Sequence, residues 1–298
     1  MRMNLIAVHS NKGGVGKTTC VTHLAGVLAG VGMRVLVIDL DSQANAAVQL
    51  GLDHAAIRGR SIEALLEDPD LDAVASALPT PWSDDVRVIA SDTSLRLLSK
   101  QIVADGQDSA RPWLQEIVEE FAEPDSAWTP GVVLFDTPPS TYDPFVQAAL
   151  ELADTLIIPS GTQRHDIDAV LRAYEDARLL RQAIGKPEPA AGVILQMLRE
   201  TTLTMMELEQ YLSDEFPLPM LGWTALTERV REAAYTMADG ESARPLTWQP
   251  ERHASSRPAT NVCWNYTEFA HRVISMANGV PVEPMSMPDF RQRATLAA

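Results

Sequence analysis

Two lysines bracket a glycine-rich run, Asn11-Lys12-Gly13-Gly14-Val15-Gly16-Lys17-Thr18-Thr19, and together these residues have the chemistry to hold a polyphosphate. Glycines lack Cβ, so the backbone amides around Gly13, Gly14 and Gly16 can close tightly on phosphate oxygens. Lys17 supplies a point charge for the β- and γ-phosphates, Thr18 offers its hydroxyl to Mg²⁺, and Thr19 adds a hydroxyl near the α-phosphate. The strict form of such a loop places glycine at position 11, where this chain has Asn11. Asparagine tolerates positive φ better than most residues, so the turn is expected to survive. Lys12 is an additional cation on the outer lip. It can turn toward its own nucleotide or cross to a partner's, and the second arrangement acts like an arginine finger, worth on the order of 10³-fold in rate. The spacing leaves both geometries open.

Phosphoryl transfer depends on positioning and charge compensation more than on covalent chemistry. Carboxylates at strand ends are therefore the next candidates. Asp136 follows the apolar run Val132-Val133-Leu134-Phe135 and is expected to hold Mg²⁺ through a water. Asp41 lies just past the strand Arg34–Asp39 and is the candidate for orienting and polarising an attacking water, with a helix N-cap as the structural alternative. Asp39 either supports the metal shell or is purely structural.

These residues need strands that end beside helices, and the chain supplies that rhythm. Apolar strands are predicted at 5–10, 34–39, 86–90, 131–136, 155–159, 191–196 and 219–223. Helices are predicted from Lys17 through Leu28 and over 61–67, 93–122, 165–184, 202–214, 226–238 and 262–277. The alternation implies an α/β fold of the P-loop NTPase class, a mostly parallel twisted sheet with helices on both faces. Residues 1–278 are expected to form a single domain, followed by a loose tail at 279–298 rich in proline and methionine.

Composition narrows the partners. The formal net charge is −16, which opposes binding to a phosphate backbone unless a local basic patch is present. Lysine occurs only at positions 12, 17, 100 and 186, and arginine is concentrated after residue 160. No run of apolar residues is long enough to span a bilayer, and the N-terminus passes straight into a strand, so a cytoplasmic protein is expected. Cys20 and Cys263 lack metal-ligand spacing and are expected to be reduced core residues.

Three segments in order, Lys12 to Thr19, Asp39-Leu40-Asp41-Ser42-Gln43-Ala44-Asn45 and Asp136-Thr137-Pro138-Pro139-Ser140, resemble the deviant Walker A, A′ and B motifs of the ParA/MinD family of P-loop ATPases. The likeness runs more weakly through Ile157-Ile158-Pro159 and Thr227–Ala233 to the last helix, covering roughly residues 4–278. The Asp-x-Asp-x-Gln-x-Asn form is closer to ParA (Soj-like) partition proteins than to MinD. The resemblance implies an ATP-sandwich homodimer with Lys12 reaching across it, hydrolysis governed by Asp41, nonspecific binding of double-stranded DNA, and stimulation by a ParB-type partner. It also implies nucleoid association when ATP is bound, with no membrane partner. Arg229 aligns with a family arginine associated with DNA binding, and Arg231, Arg199, Arg252 and Arg257 are candidates to extend that patch. Two departures concern the DNA surface and the A′ loop: the segment after Gln196 does not line up with the usual arginine, and Ser42 replaces a common proline.

Other functions make different demands. A MinD-type membrane ATPase should end in a basic amphipathic helix, whereas 279–298 carries Pro281, Pro284 and Pro288. A nitrogenase-iron-protein-like reductase would need cysteines placed to ligate a shared cluster. A ParA-like ATPase that positions another cargo, such as a chemoreceptor cluster, a microcompartment or a conjugative transfer complex, would share the same pocket, as would a nucleotide-gated switch with negligible turnover. Starting directly at its first strand, the chain is expected to lack the helix-turn-helix region of larger plasmid ParA proteins.

Overall fold

In the computed structural model, residues 3–161, 164–196, 218–224, 247 and 257–282 are described. Their strands form an eight-stranded sheet in the order β3-β4-β2-β5-β1-β6-β7-β8. These are β1 (Asn4–Val8), β2 (Val35–Asp39), β3 (Leu78–Thr80), β4 (Ser83–Ile89), β5 (Val132–Asp136), β6 (Thr155–Ser160), β7 (Ala190–Leu195) and β8 (Met220–Trp223). Every pairing is parallel except β3 with β4. The register of β5 against β1 and β2 sets Asp136 opposite both Val8 and Asp39, so the predicted acidic strand ends finish level with one another.

The strands read as continuous apolar runs because both faces are covered, and the pleat sorts alternate residues to opposite sides. Ile6, Val8, Val35, Val37, Val132 and Leu134 pack with α1 (Lys17–Gly30), α2 (Asn45–Gln49) and the last helix, α10 (Arg257–Ala277). Ala7, Leu36, Ile38, Val133, Phe135, Leu156 and Ile158 pack on the other face. There the cover comes from α4 (Ile62–Glu67), α5 (Ala73–Ser76), α6 (Leu95–Ala104), α7 (Arg111–Glu120), α8 (Pro144–Leu152) and α9 (Arg164–Ala183), while α3 (His54–Ile57) adds Ile57 to the first face. The α/β class with helices on both faces is thus observed.

Several predicted elements change. The single helix expected over 93–122 is two, α6 and α7, separated at Gly106, which adopts φ 78°. A side chain is strained there, and Pro112 in the first turn of α7 restarts the helix where a missing N–H costs nothing. The first strand stops at Val8 rather than Ser10, because His9 and Ser10 already enter the loop. The short strand at 86–90 is part of a longer β4 that folds back on β3. Helix α8 was not anticipated. Asp143 caps it by accepting from the Phe145 and Val146 amides at 2.9 and 3.4 Å, with Pro144 at its first position, a cap worth about 1 kcal/mol. The helices expected at 202–214 and 226–238 lie outside the described residues.

Close packing of β7 on β8 depends on Gly192. A Cβ added there would stand 2.5 Å from Leu221 side-chain carbons. Gly192→Ala should therefore lower the free energy of unfolding by about 1–3 kcal/mol, read as a lower urea midpoint. An unchanged midpoint would show that Leu221 swings aside at no cost.

Candidate nucleotide site

The loop between β1 and α1 curls back on itself through two left-handed residues. Gly14 and Gly16 adopt φ 75° and 86°, so two of the three loop glycines are required by backbone conformation, whereas Gly13 is not at positive φ. Asn11 is not at positive φ either, which corrects the reason expected for its tolerance: Ala44 is the one non-glycine residue there among those described. Asn11 instead works through its side chain. Its Nδ2 donates to Asp176 Oδ2 at 2.9 Å, and its Oδ1 meets His9 Nε2 at 2.9 Å and the Thr141 hydroxyl at 2.5 Å. Thr141 also contacts Asp176 at 2.9 Å, and His9 Nδ1 lies 2.8 Å from Thr137 Oγ1. The entrance of the loop is thereby tied to the segment after β5 and to α9. Burial lowers the His9 pKa to about 4, so at neutral pH the ring is uncharged.

Lys17 opens α1 and is buried, its Nζ donating to the Lys12 carbonyl at 3.0 Å. Burial lowers its pKa, opposed by the charges of Asp136 and Asp41. An ammonium wrapped by its own loop is pre-positioned for an anion seated over the amides of Gly13 to Thr19. Val15, within the loop, is buried. The Thr18 hydroxyl donates to Asp136 Oδ2 at 2.8 Å. The other oxygen, Oδ1, is buried with no hydrogen-bond partner among the described residues. Burial first, and then the neighbouring Asp39 carboxylate, pushes the Asp136 pKa well up. A hydroxyl and an unsatisfied carboxylate oxygen side by side form a hard-oxygen donor set of the kind Mg²⁺ prefers, so the residues fit that ion.

The two other aspartates separate cleanly. Asp39 Oδ1 accepts from the Asp41 amide at 3.1 Å, and Oδ2 accepts from the Ala46 and Ala47 amides at 2.9 and 3.1 Å. It caps α2 from a distance, and burial pushes its pKa up to about 7. Of the two roles considered for Asp39, these bonds describe the structural one. Asp41 is not the cap of α2. Its Oδ1 accepts from the Gln43 amide at 3.0 Å and its carbonyl accepts from the Ser91 hydroxyl, so the loop is fixed by backbone while the carboxylate stays half-buried at the surface.

Lys12 is 35% exposed and forms an ion pair with Asp166 of α9, itself buried. This lysine is thus anchored to α9. On the far side of the loop, Gln196 Nε2 lies 3.4 Å from the Gly16 carbonyl and 3.1 Å from the Tyr266 hydroxyl, and Tyr266 stacks on His23 of α1 with ring centroids 4.6 Å apart. No local pattern marks Gln196, Thr141 or Asp176 in the sequence, since each meets the loop from more than a hundred residues away, nor Tyr266, which reaches it through Gln196. Arg229, Arg231, Arg199 and Arg252 lie outside the described residues, as does the side chain of Arg257. Cys20 is buried in the core and Cys263 half-buried, both reduced. Among the described residues no helix is long and apolar enough to cross a membrane.

A parallel sheet with a glycine loop entering a helix and carboxylates on adjacent strand ends defines a P-loop protein built to bind a nucleotide's phosphates. A family model described as an AAA domain matches residues 3–186, and the chain belongs to that family, in its ParA/MinD-type branch of P-loop ATPases. Chromosome-partitioning ATPase Soj of Thermus thermophilus is 26% identical over 266 residues, spanning 88% of this chain and 96% of Soj. Two solved structures share the fold. Cobyrinic acid a,c-diamide synthase from Mycobacterium smegmatis with bound ADP and magnesium has a TM-score of 0.68 at 20% identity, over 96% of this chain and 100% of that one. A plasmid partition protein from Borrelia burgdorferi bound to AMPPNP has a TM-score of 0.65 at 18% identity, over 91% and 98%.

His23 gives the site a pH signature. Burial lowers its pKa from 6.5 to about 4, so the unfolded chain takes the proton first. Its contribution is fully present above pH 6.5 and is lost as pH falls toward 4. His23→Phe keeps a ring on Tyr266 but cannot take a proton. It should lose roughly 3 kcal/mol less stability than wild type over that fall, measured by urea unfolding across pH. Parallel losses in the two proteins would remove His23 as the cause.

Proposed function

We propose that this chain is a ParA-type DNA-partition ATPase: ATP closes it into a dimer that binds duplex DNA without sequence preference, and a ParB-type partner stimulates hydrolysis and release. The observation that carries the reading is the meeting of Lys12, Lys17, Thr18, Asp41 and Asp136 at one end of the sheet, in a chain that aligns with Soj along nearly all of Soj's length.

In this reading the amides of Gly13 to Thr19 receive the phosphates, Lys17 moves from the Lys12 carbonyl to the β- and γ-oxygens, and Thr19 serves the α-phosphate. Thr18 would hold Mg²⁺ directly and Asp136 would hold it through a water, and the ion bound there would supply charge compensation for the phosphates. Asp41, anchored by backbone and with its carboxylate near the surface, orients the attacking water. Lys12 exchanges Asp166 for the γ-phosphate of the facing nucleotide, which makes dimer closure and catalysis one event. Arg229, with Arg231 and Arg199, supplies the basic patch that an acidic chain needs to meet DNA. Residues 1–278 act as one unit.

Lys17→Ala should abolish ATP binding by calorimetry, and tight binding by the variant would refute the role given to Lys17. Asp41→Ala should bind ATP and accumulate as a dimer without turnover, seen by light scattering. Turnover at the wild-type rate would remove Asp41 from the mechanism. With ATP and Mg²⁺ at low salt the wild type should shift duplex DNA of any sequence. Arg229→Ala should weaken that binding uniformly and reduce the salt slope by about one. A wild type that leaves duplex unbound would defeat the partition reading while leaving the ATPase intact.

A further inference from the structure

A groove of about 510 Å³ runs between α6 and the two loops that leave β2 and β5. Its position is mechanically loaded. Leu40 and Ser42, which flank Asp41, form part of one wall, and Pro138 and Ser140, just past Asp136, form part of another. Whatever sits here touches both loops that carry the acidic residues of the nucleotide site.

The lining has a definite chemical character. Leu40 and Leu95 lie buried at its base. At its rim Tyr142 is 89% and Val103 53% exposed. Arg96 and Lys100 stand one helical turn apart on α6 and line the groove. Neither forms an ion pair among the described residues. In a chain of net charge −16 with four lysines, two cations beside an apolar base are a local inversion of the surface. The single carboxylate lining the groove, Asp143, already accepts from two amides at the start of α8. Ser99 also lines it, and its Oγ is buried with no hydrogen-bond partner among the described residues. A buried hydroxyl without a partner carries an uncompensated desolvation cost, which a ligand reaching it would remove.

We propose that this groove receives a short acidic amphipathic segment of a partner protein. An apolar side chain of the segment seats against Leu40 and Leu95, carboxylates pair with Arg96 and Lys100, and a polar group reaches Ser99 Oγ. The apolar base distinguishes this occupant from nucleic acid, whose phosphates would use the two cations but leave Leu40 and Leu95 without a complement. Pressure on Leu40 and Ser42 then alters the loop holding Asp41, so the segment also changes the rate of ATP hydrolysis; this second step rests on the ATPase reading above.

The test uses the full chain and a fluorescein-labelled peptide alternating leucine with glutamate, with a leucine–lysine peptide and mixed-sequence duplex DNA as comparators. By fluorescence anisotropy the acidic peptide should bind about tenfold more tightly than the basic one. Arg96→Glu with Lys100→Glu should weaken it by about tenfold or more, and Ser99→Ala by severalfold, while both variants still bind ATP. Equal binding of the two peptides, or affinity unchanged in the double variant, would overturn the proposal. So would displacement of the acidic peptide by duplex DNA, which would assign the cations to phosphates. Sedimentation of the unliganded chain covers the last case: self-association abolished by the double variant would mean that a second copy, not a partner peptide, fills the groove. Peptide binding to a protein that does not turn over ATP would leave the groove standing and sink the ATPase reading instead.

Discussion

A carboxylate at the middle of a fully covered parallel sheet is the constraint around which the rest is arranged. Asp136 ends the strand that lies between β1 and β2, where water has no ready access, and its charged form is opposed by burial and by Asp39 beside it. The protein's answer is to surround the pair with oriented donors. Thr18 donates to Asp136, and three backbone amides converge on Asp39. Lys17 approaches as an ammonium whose own pKa burial has lowered. Such a cluster is poorly satisfied by protein groups alone, and a divalent cation with phosphates is its electrostatic complement. Holding those donors in place requires the left-handed loop at Gly14 and Gly16, the backbone anchoring of the Asp41 loop, and the level strand ends set by the register.

Much of this arrangement was legible in the chain because it is local. The glycine run between a strand and a helix, and apolar strands that end in aspartate, are short patterns whose physics lies within a dozen residues. The breaks were less visible. Residues 93–122 carry a nearly continuous helical pattern, and the left-handed Gly106 followed by Pro112 outweighs it. Asn11 shows how a correct residue can be given a wrong reason. Its backbone is ordinary, and its value lies in amide contacts with His9, Thr141 and Asp176, partners that only the fold brings together. The role of Asp39 was hidden likewise, since capping α2 from seven and eight residues upstream leaves no spacing signature.

Helix α9 emerges as more than sheet cover. It holds the loop's lip at two places, Asp166 on Lys12 and Asp176 on Asn11, while Gln196 and Tyr266 brace the loop from β7 and α10. A loop held on both flanks by packed helices has little freedom of its own. The groove beside α6 is lined by residues of the same two acidic loops, Leu40 and Ser42 after β2 and Pro138 and Ser140 after β5.

The hairpin of β3 on β4 has a consequence for assembly. Strands with unpaired N–H and C=O groups along a sheet's border invite other chains to add on, and this border is closed by a three-residue strand running against its neighbour and containing Pro79, which has no N–H to offer. Lateral growth of the sheet into a filament is blocked on that side.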